Sequence, residues 1–201
     1  MDVLELHRRI PTKHFDYQRL MAATQELSHA RRFVGLLVKR GHVIRIKKGL
    51  YVWGQDVDPA PFSNEVLANL IYGPSYVSLE YALSFYGLIP ERVATVTSVT
   101  FKKSKTFATP VGQFTFEHIN QEAYAAGIRL HLDGQHSFLI ATAEKALLDV
   151  IALRGVSESL LEDLRIEPEE FARLDVAALR TLGTTYKARA VKEFIKGLAR
   201  G

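Results

Sequence analysis

The clearest ordering of apolar and polar positions lies between Ser28 and Trp53. At 3.6 residues per turn, Ala30, Phe33, Val34 and Leu37 share one helix face, and Arg31, Arg32, Gly35 and Lys39 share the other. Ser28 is placed to cap this helix, because its hydroxyl can accept from an orphan N–H of the first turn. Gly41 is placed to stop it, since a left-handed residue past the last turn suits glycine. The period then shortens to two. Val43–Lys47 and Leu50–Trp53 are short β-rich runs, and Lys48-Gly49 between them predicts a two-residue turn with glycine supplying positive φ. Upstream, residues 15–22 predict a preceding helix with Asp16 as N-cap, residues 24–27 a turn, and residues 2–9 a short helix ending near Pro11.

Beyond Trp53 the pattern is mixed. Residues 55–61, with two prolines and two acids, read as a linker between a domain over 1–54 and a second over 62–201. Within the second, residues 62–72 and 78–86 predict helices, broken by Gly73-Pro74 and stopped by Gly87. Runs over 95–101, 106–109, 113–119, 128–132 and 137–140 predict strands. Residues 102–105, 110–112 and the pair Asp133-Gly134 predict the turns between them, the last a hairpin. Helices follow near 142–154, 157–164, 168–181 and 184–199. Strands between two helical groups predict an α+β domain, with a mostly antiparallel sheet flanked by helices. Ser78 and Thr142 each stand two residues before an acid, Glu80 and Glu144, as hydroxyl caps backed by a carboxylate near the positive helix end. The plain purpose of such pairs is local helix stabilisation; a functional one requires both helix starts to converge on a partner.

Charge changes this picture. Residues 1–53 hold eleven Lys/Arg against four Asp/Glu, a net +7, while residues 54–201 hold fifteen against eighteen, a net −3. The overall +4 therefore hides a basic front and a mildly acidic remainder. A cationic hairpin directly after a cationic helix is the arrangement of a wing that grips phosphates beside a recognition helix. The expectation is an N-terminal winged helix-turn-helix binding double-stranded DNA through Arg31, Arg32, Lys39, Arg40, Arg45, Lys47 and Lys48. A merely solvated helix face is the plain alternative.

Composition sets the outer limits. With 201 residues and 47% apolar content the chain can bury a core. Zero cysteine excludes disulfides, thiolate metal sites and cysteine nucleophiles, and fits a reducing compartment. No apolar run approaches a membrane span, and the early acids of the N-terminus do not suit a signal peptide. A cytoplasmic protein with no membrane partner is expected.

The segments add up to a family resemblance. The RIKKGLY wing of residues 45–51 is followed by PSYVSLEYALSFYGLIP at 74–90, VTSVT at 96–100, TFATPVG at 106–112 and ATAEKALLD at 141–149. In this order and spacing they look like the AbiEi family of antitoxins, over nearly the whole chain from about residue 15. The resemblance implies an autorepressor that binds operator repeats through its N-terminal winged helix. It also implies that the C-terminal domain neutralises a co-encoded nucleotidyltransferase-like toxin, in a type IV toxin–antitoxin system linked to phage defence by abortive infection. Ser78, Glu80, Glu144, Lys145 and Asp149 match the family pattern. The chain departs from it in Thr142-Ala143, where Ser-Pro is commoner, and in Gly35 within the helix. Oligomeric state, monomer or dimer on inverted repeats, stays open.

The enzyme templates mostly fail. There is no G-x-x-x-x-G-K-[ST], G-x-G-x-x-G, H-E-x-x-H or G-x-S-x-G, so no catalytic residue and no cofactor are expected. His131, Asp133 and His136 bracket a turn and read as polar hairpin shoulders rather than a metal site. Lys102, Lys103 and Lys105 form a second basic tip: a solvated turn, a phosphate contact or a landing site for an acidic partner. Lys145 and Asp149, at i and i+4, predict a surface ion pair. The sharper alternative joins them to a lysine of 102–105 as a nucleotide-phosphate site in an atypical phosphotransferase acting on the toxin. A third alternative is a plain winged-helix regulator with no toxin partner.

Overall fold

The computed structural model describes residues 1–134, 136–155 and 160–198. The chain divides into two units, Met1–Asn64 with Thr109–Val111, and Glu65–Ala108 with Gly112–Gly201.

In the first unit, α1 (Val3–Arg9) is capped by Asp2, which accepts from the Glu5 N–H at 2.7 Å. Strand β1 (His14–Asp16) leads into α2 (Tyr17–Ala23), where Asp16 accepts from the Arg19 N–H at 2.7 Å, as its position predicts. Next come α3 (Ala30–Lys39), β2 (Val43–Lys47) and β3 (Leu50–Trp53), with Gly49 at φ +88° in the turn. The three strands form an antiparallel sheet in the order β1-β3-β2. Strand β1 has no local signal, since its three residues become a strand only by pairing with β3, far along the chain. The start of α3 differs from expectation. His29, not Ser28, is the N-cap residue, and it makes no side-chain capping bond.

Leu6, Ile10, Phe15, Leu20, Val34, Leu37, Val43, Tyr51 and Trp53 form the core of this unit, and the Trp53 indole donates to the Ile10 carbonyl at 3.1 Å. Val57 belongs to the same core, although the stretch 55–61 reads as a linker. Gly54 begins that extension. Its N–H donates to the His42 carbonyl at 2.8 Å, and a Cβ there would lie 2.1 Å from the Gly41 oxygen. Only glycine permits that approach.

The second unit contains α4 (Asn64–Ile71), β4 (Tyr76–Val77), α5 (Leu79–Phe85), β5 (Val96–Thr100), β6 (Lys105–Thr109), β7 (Gly112–His118) and α6 (Gln121–Tyr124). It continues with β8 (Ile128–Asp133), β9 (His136–Ala141), α7 (Ala143–Arg154), α8 (Leu160–Asp163), α9 (Pro168–Phe171), α10 (Val176–Gly183) and α11 (Arg189–Leu198). The six strands run β6-β7-β5-β4-β9-β8. The protein is thus α+β, and this sheet is mixed: β8 and β9 pair antiparallel, and two parallel pairings stand beside the antiparallel ones that the sequence predicts. β4 pairs antiparallel with β5 and parallel with β9, and β5 and β7 are parallel. The missing signal was β4, two buried residues that carry the crossover. The helix expected over 168–181 is two helices, because Asp175 interrupts it and caps α10 by accepting from Ala177 and Ala178. The helix expected over 157–164 lies partly outside the described residues. Among the described residues no helix is long and apolar enough to cross a membrane.

Candidate nucleic-acid interface and a buried polar network

Helix α3 buries Val34 and Leu37 and turns Arg31, Arg32, Gly35, Lys39 and Arg40 outward, so the two faces divide as the periodicity predicts. Leu36, 44% exposed, joins the outward face. At Gly35 a Cβ would meet nothing within 4 Å, so the helix face is open there. In the hairpin, Ile46 points into the core while Arg45 and Lys48 are exposed and Lys47 is half-buried. A register shift between Arg45 and Lys47 marks a bulge next to the tip.

The acids of this unit stand elsewhere. Asp2 and Asp16 cap helices. Glu5 and Glu26 pair with Arg9 at 3.0 and 3.3 Å, Asp56 with His42, and Asp58 with Lys13 at 3.6 Å. Those six are all the Asp and Glu of residues 1–64. Arg31, Arg32, Lys39, Arg40, Arg45 and Lys48 make no ion pair among the described residues. An uncompensated set of like charges raises the cost of the bare fold and attracts an anion.

The second unit handles charge in the opposite way. Lys145 and Asp149, expected as a surface ion pair, are both 0% exposed. The Lys145 ammonium donates to Asp149 Oδ1 at 2.5 Å and to the Tyr186 hydroxyl at 2.6 Å. Asp149 accepts three more bonds, from Tyr186 at 2.7 Å, Tyr76 at 3.0 Å and Ser78 at 2.7 Å. The ammonium also lies 4.6 Å from the Tyr186 ring centroid and 5.3 Å from that of Tyr76. Ser78 therefore does not cap α5 with its side chain. Its hydroxyl is committed to Asp149 instead. Leu79, directly after it, holds φ at +59°, a left-handed conformation that a leucine adopts only where its surroundings fix it. The Ser78 N–H donates to Thr97 O and its carbonyl accepts from Thr97 Oγ1, which provides that constraint.

Burial holds the Lys145 ammonium below its ordinary value, with Asp149 opposing. Burial, with the Asp149 charge adding to it, raises Tyr76 and Tyr186 well above the ordinary phenol value. The network stitches β4, the start of α5, α7 and the residue ahead of α11 into one core. With every member enclosed, it positions elements and presents no reacting group to solvent.

The other candidate residues are dispersed. Thr142 caps α7 as expected, accepting from the Lys145 N–H at 3.3 Å. Glu144 accepts from the Asp175 N–H at 3.1 Å, and Glu80 pairs with Arg154 at 3.2 Å. Lys102 donates to the Gly73 carbonyl at 2.6 Å, the Lys103 carbonyl accepts from Tyr72, and the Lys105 ammonium stands 4.9 Å from the Phe107 ring centroid. The lysine tip thus packs on its own aromatic neighbours, and its contacts are separate from those of Lys145. His131 packs edge-on against Phe85 at 5.0 Å, and no group of three or more His, Asp and Glu among the described residues is arranged to hold a metal.

Tyr76 and Tyr186 are the site residues that sequence reasoning missed. One signal pointed to them. Residues 146–148 and 150–151 of α7 are apolar on every side, which marks a buried helix and requires partners for its two charges. Compared with known proteins, the chain matches no protein-family model, and no curated protein matches it either.

Proposed function

We propose that the first unit is a winged helix-turn-helix that binds double-stranded DNA, with α3 in the major groove and the β2–β3 hairpin as the wing. The observation that carries this is the set of six exposed cations on α3 and the hairpin, unopposed in a unit whose every acid is committed elsewhere. The element order α1-β1-α2-α3-β2-β3 supports it, as does the open surface at Gly35 and Leu36, where base edges can approach closely. Arg31, Arg32, Lys39 and Arg40 then serve the groove and its flanking phosphates, and Arg45, Lys47 and Lys48 the neighbouring backbone.

The AbiEi resemblance extends this reading. The DNA is the operator of the protein's own operon, bound as a repressor in the cytoplasm, and the second unit neutralises a nucleotidyltransferase-like toxin. Fluorescence anisotropy of the full chain with a duplex from upstream of its gene tests the first part. Saturable binding that Arg32→Ala weakens supports it, and binding insensitive to that change overturns it. Co-expression with the adjacent reading frame tests the second. Rescue of growth by the full chain, retained in an Arg32→Ala/Lys39→Ala variant, separates toxin neutralisation from repression.

A further inference from the structure

The geometry points to a dimer of this chain in which β8 of one copy pairs antiparallel with β8 of a second copy about a two-fold axis at His131. Strand β8 is an edge of the six-stranded sheet. Its partner β9 fixes which way its backbone groups face. The Leu139 carbonyl accepts from the Asn69 side chain at 3.3 Å, and the Leu139 N–H donates to it at 2.6 Å. Leu139 therefore spends neither group on its opposite number, Leu130. At the far end, the Thr142 N–H donates to the Gly127 carbonyl at 2.9 Å, so the odd-numbered residues of this stretch bond to β9. The N–H and C=O groups of Ile128, Leu130 and Leu132 face the open edge.

An added antiparallel strand has to meet even-numbered residues with even-numbered residues. The strand Ile128–Asp133, IRLHLD, is self-complementary in one such register. With His131 opposite its own copy, Leu130 exchanges both backbone bonds with the second copy's Leu132, and Arg129 faces the second copy's Asp133. Symmetry gives each contact twice. Moving the axis by one residue sets Arg129 against His131, or His131 against Asp133, and loses the arginine–aspartate match. Arg129 and Asp133 are exposed and form no ion pair among the described residues. They share one face, while Leu130 and Leu132, 59% and 70% exposed, share the other with Leu139.

The opposite edge makes the contrast. Strand β6 opens on Lys105, with Lys102 and Lys103 just ahead of it, the charged dress that keeps an edge unpaired. Strand β8 has a leucine at both central outward positions and opposite charges at matched distances from its centre. That is an edge built to be paired, and by its own sequence. The dimer does not depend on the DNA-binding proposal.

Sedimentation velocity of the full chain over a concentration series tests it, without DNA. The wild-type chain should show a reversible monomer–dimer equilibrium. Asp133→Arg, which sets arginine against arginine at both symmetric positions, should weaken dimerisation by about tenfold or more. The swapped Arg129→Asp/Asp133→Arg double should restore it, which no loss of folding can mimic. Leu130→Pro, which deletes an outward N–H, should give a monomer whose melting temperature matches that of the wild type at concentrations where the wild type is also monomeric. A wild-type chain that stays monomeric at every concentration overturns the dimer. So does open-ended association, an Asp133→Arg variant as dimeric as wild type, or a swapped double that remains monomeric.

Discussion

In the first unit, Arg31, Arg32, Lys39, Arg40, Arg45 and Lys48 are exposed and form no ion pair among the described residues. In the second, Lys145 is enclosed with one carboxylate and two phenols, and the Asp149 oxygens accept four hydrogen bonds. Both arrangements concentrate charge, but water separates their roles. Exposed and uncompensated cations keep their field available to an outside polyanion and cost little desolvation. An enclosed ion pair has no field to offer; its geometry locks distant segments together, and removing one member leaves the other stranded. The first arrangement leaves its charge open to a partner, as the proposed DNA binding requires, and the second spends its charge on internal architecture.

The largest effect that can break this contrast is in the network. Asp149→Ala strands the Lys145 ammonium and three hydroxyl donors, and should lower stability by about 3–5 kcal/mol in urea denaturation. Lys145→Met/Asp149→Leu should cost less than the sum of its two single changes, because the double leaves no buried charge. An Asp149→Ala protein as stable as wild type would mean that the pair is solvated after all.

Alkaline pH probes the same region. Tyr76 and Tyr186 have an ordinary value of 10.0 and are raised in the folded state, so the folded chain holds their protons longer. Their stabilisation is complete below that pH and is lost as pH rises beyond it. Lys145 acts in reverse. Its folded value is lowered from 10.5, so the unfolded chain binds more protons just below that pH and stability gains as pH rises there. Two phenols oppose one amine, and denaturation midpoints should fall above about pH 10. Tyr186→Phe should flatten that fall, and Lys145→Met should steepen it.

Smaller effects sharpen the other side. Arg32→Ala and Lys39→Ala should each weaken duplex binding by about 1–3 kcal/mol if they reach base edges, and less if they reach phosphate, with melting unchanged. Gly35→Ala should separate stability from binding. It meets no neighbour, so it should stabilise the fold by about 0.5–1 kcal/mol while weakening DNA binding through steric contact at the interface. A Gly35→Ala protein that is more stable and binds equally well would move the contact surface off this face.

The regions also differ in how legible they were. The α3 face, the hairpin and its glycine turn depend on neighbours in sequence, and periodicity with turn chemistry captured them to within a residue or two. The cap at Ser28 failed because the turn ahead of α3 hands that place to His29. Strands β1 and β4 were invisible because three and two residues carry no period, and their pairing comes from distant segments. The i, i+4 spacing of Lys145 and Asp149 was plain, but its burial depends on Tyr76, Ser78 and Tyr186, far away along the chain. Propensity could suggest a hydroxyl cap at Ser78; only the tertiary fold could redirect that hydroxyl to Asp149.

The most direct test of the central claim is the salt dependence of duplex affinity for the wild type and for a Lys47→Ala/Lys48→Ala variant of the hairpin. Six or so phosphate contacts should give a slope of log affinity against log salt of roughly −5, and removing two should shrink it by about 1.8. A slope near zero in the wild type, or an unchanged slope in the variant, would contradict an α3–hairpin grip on DNA.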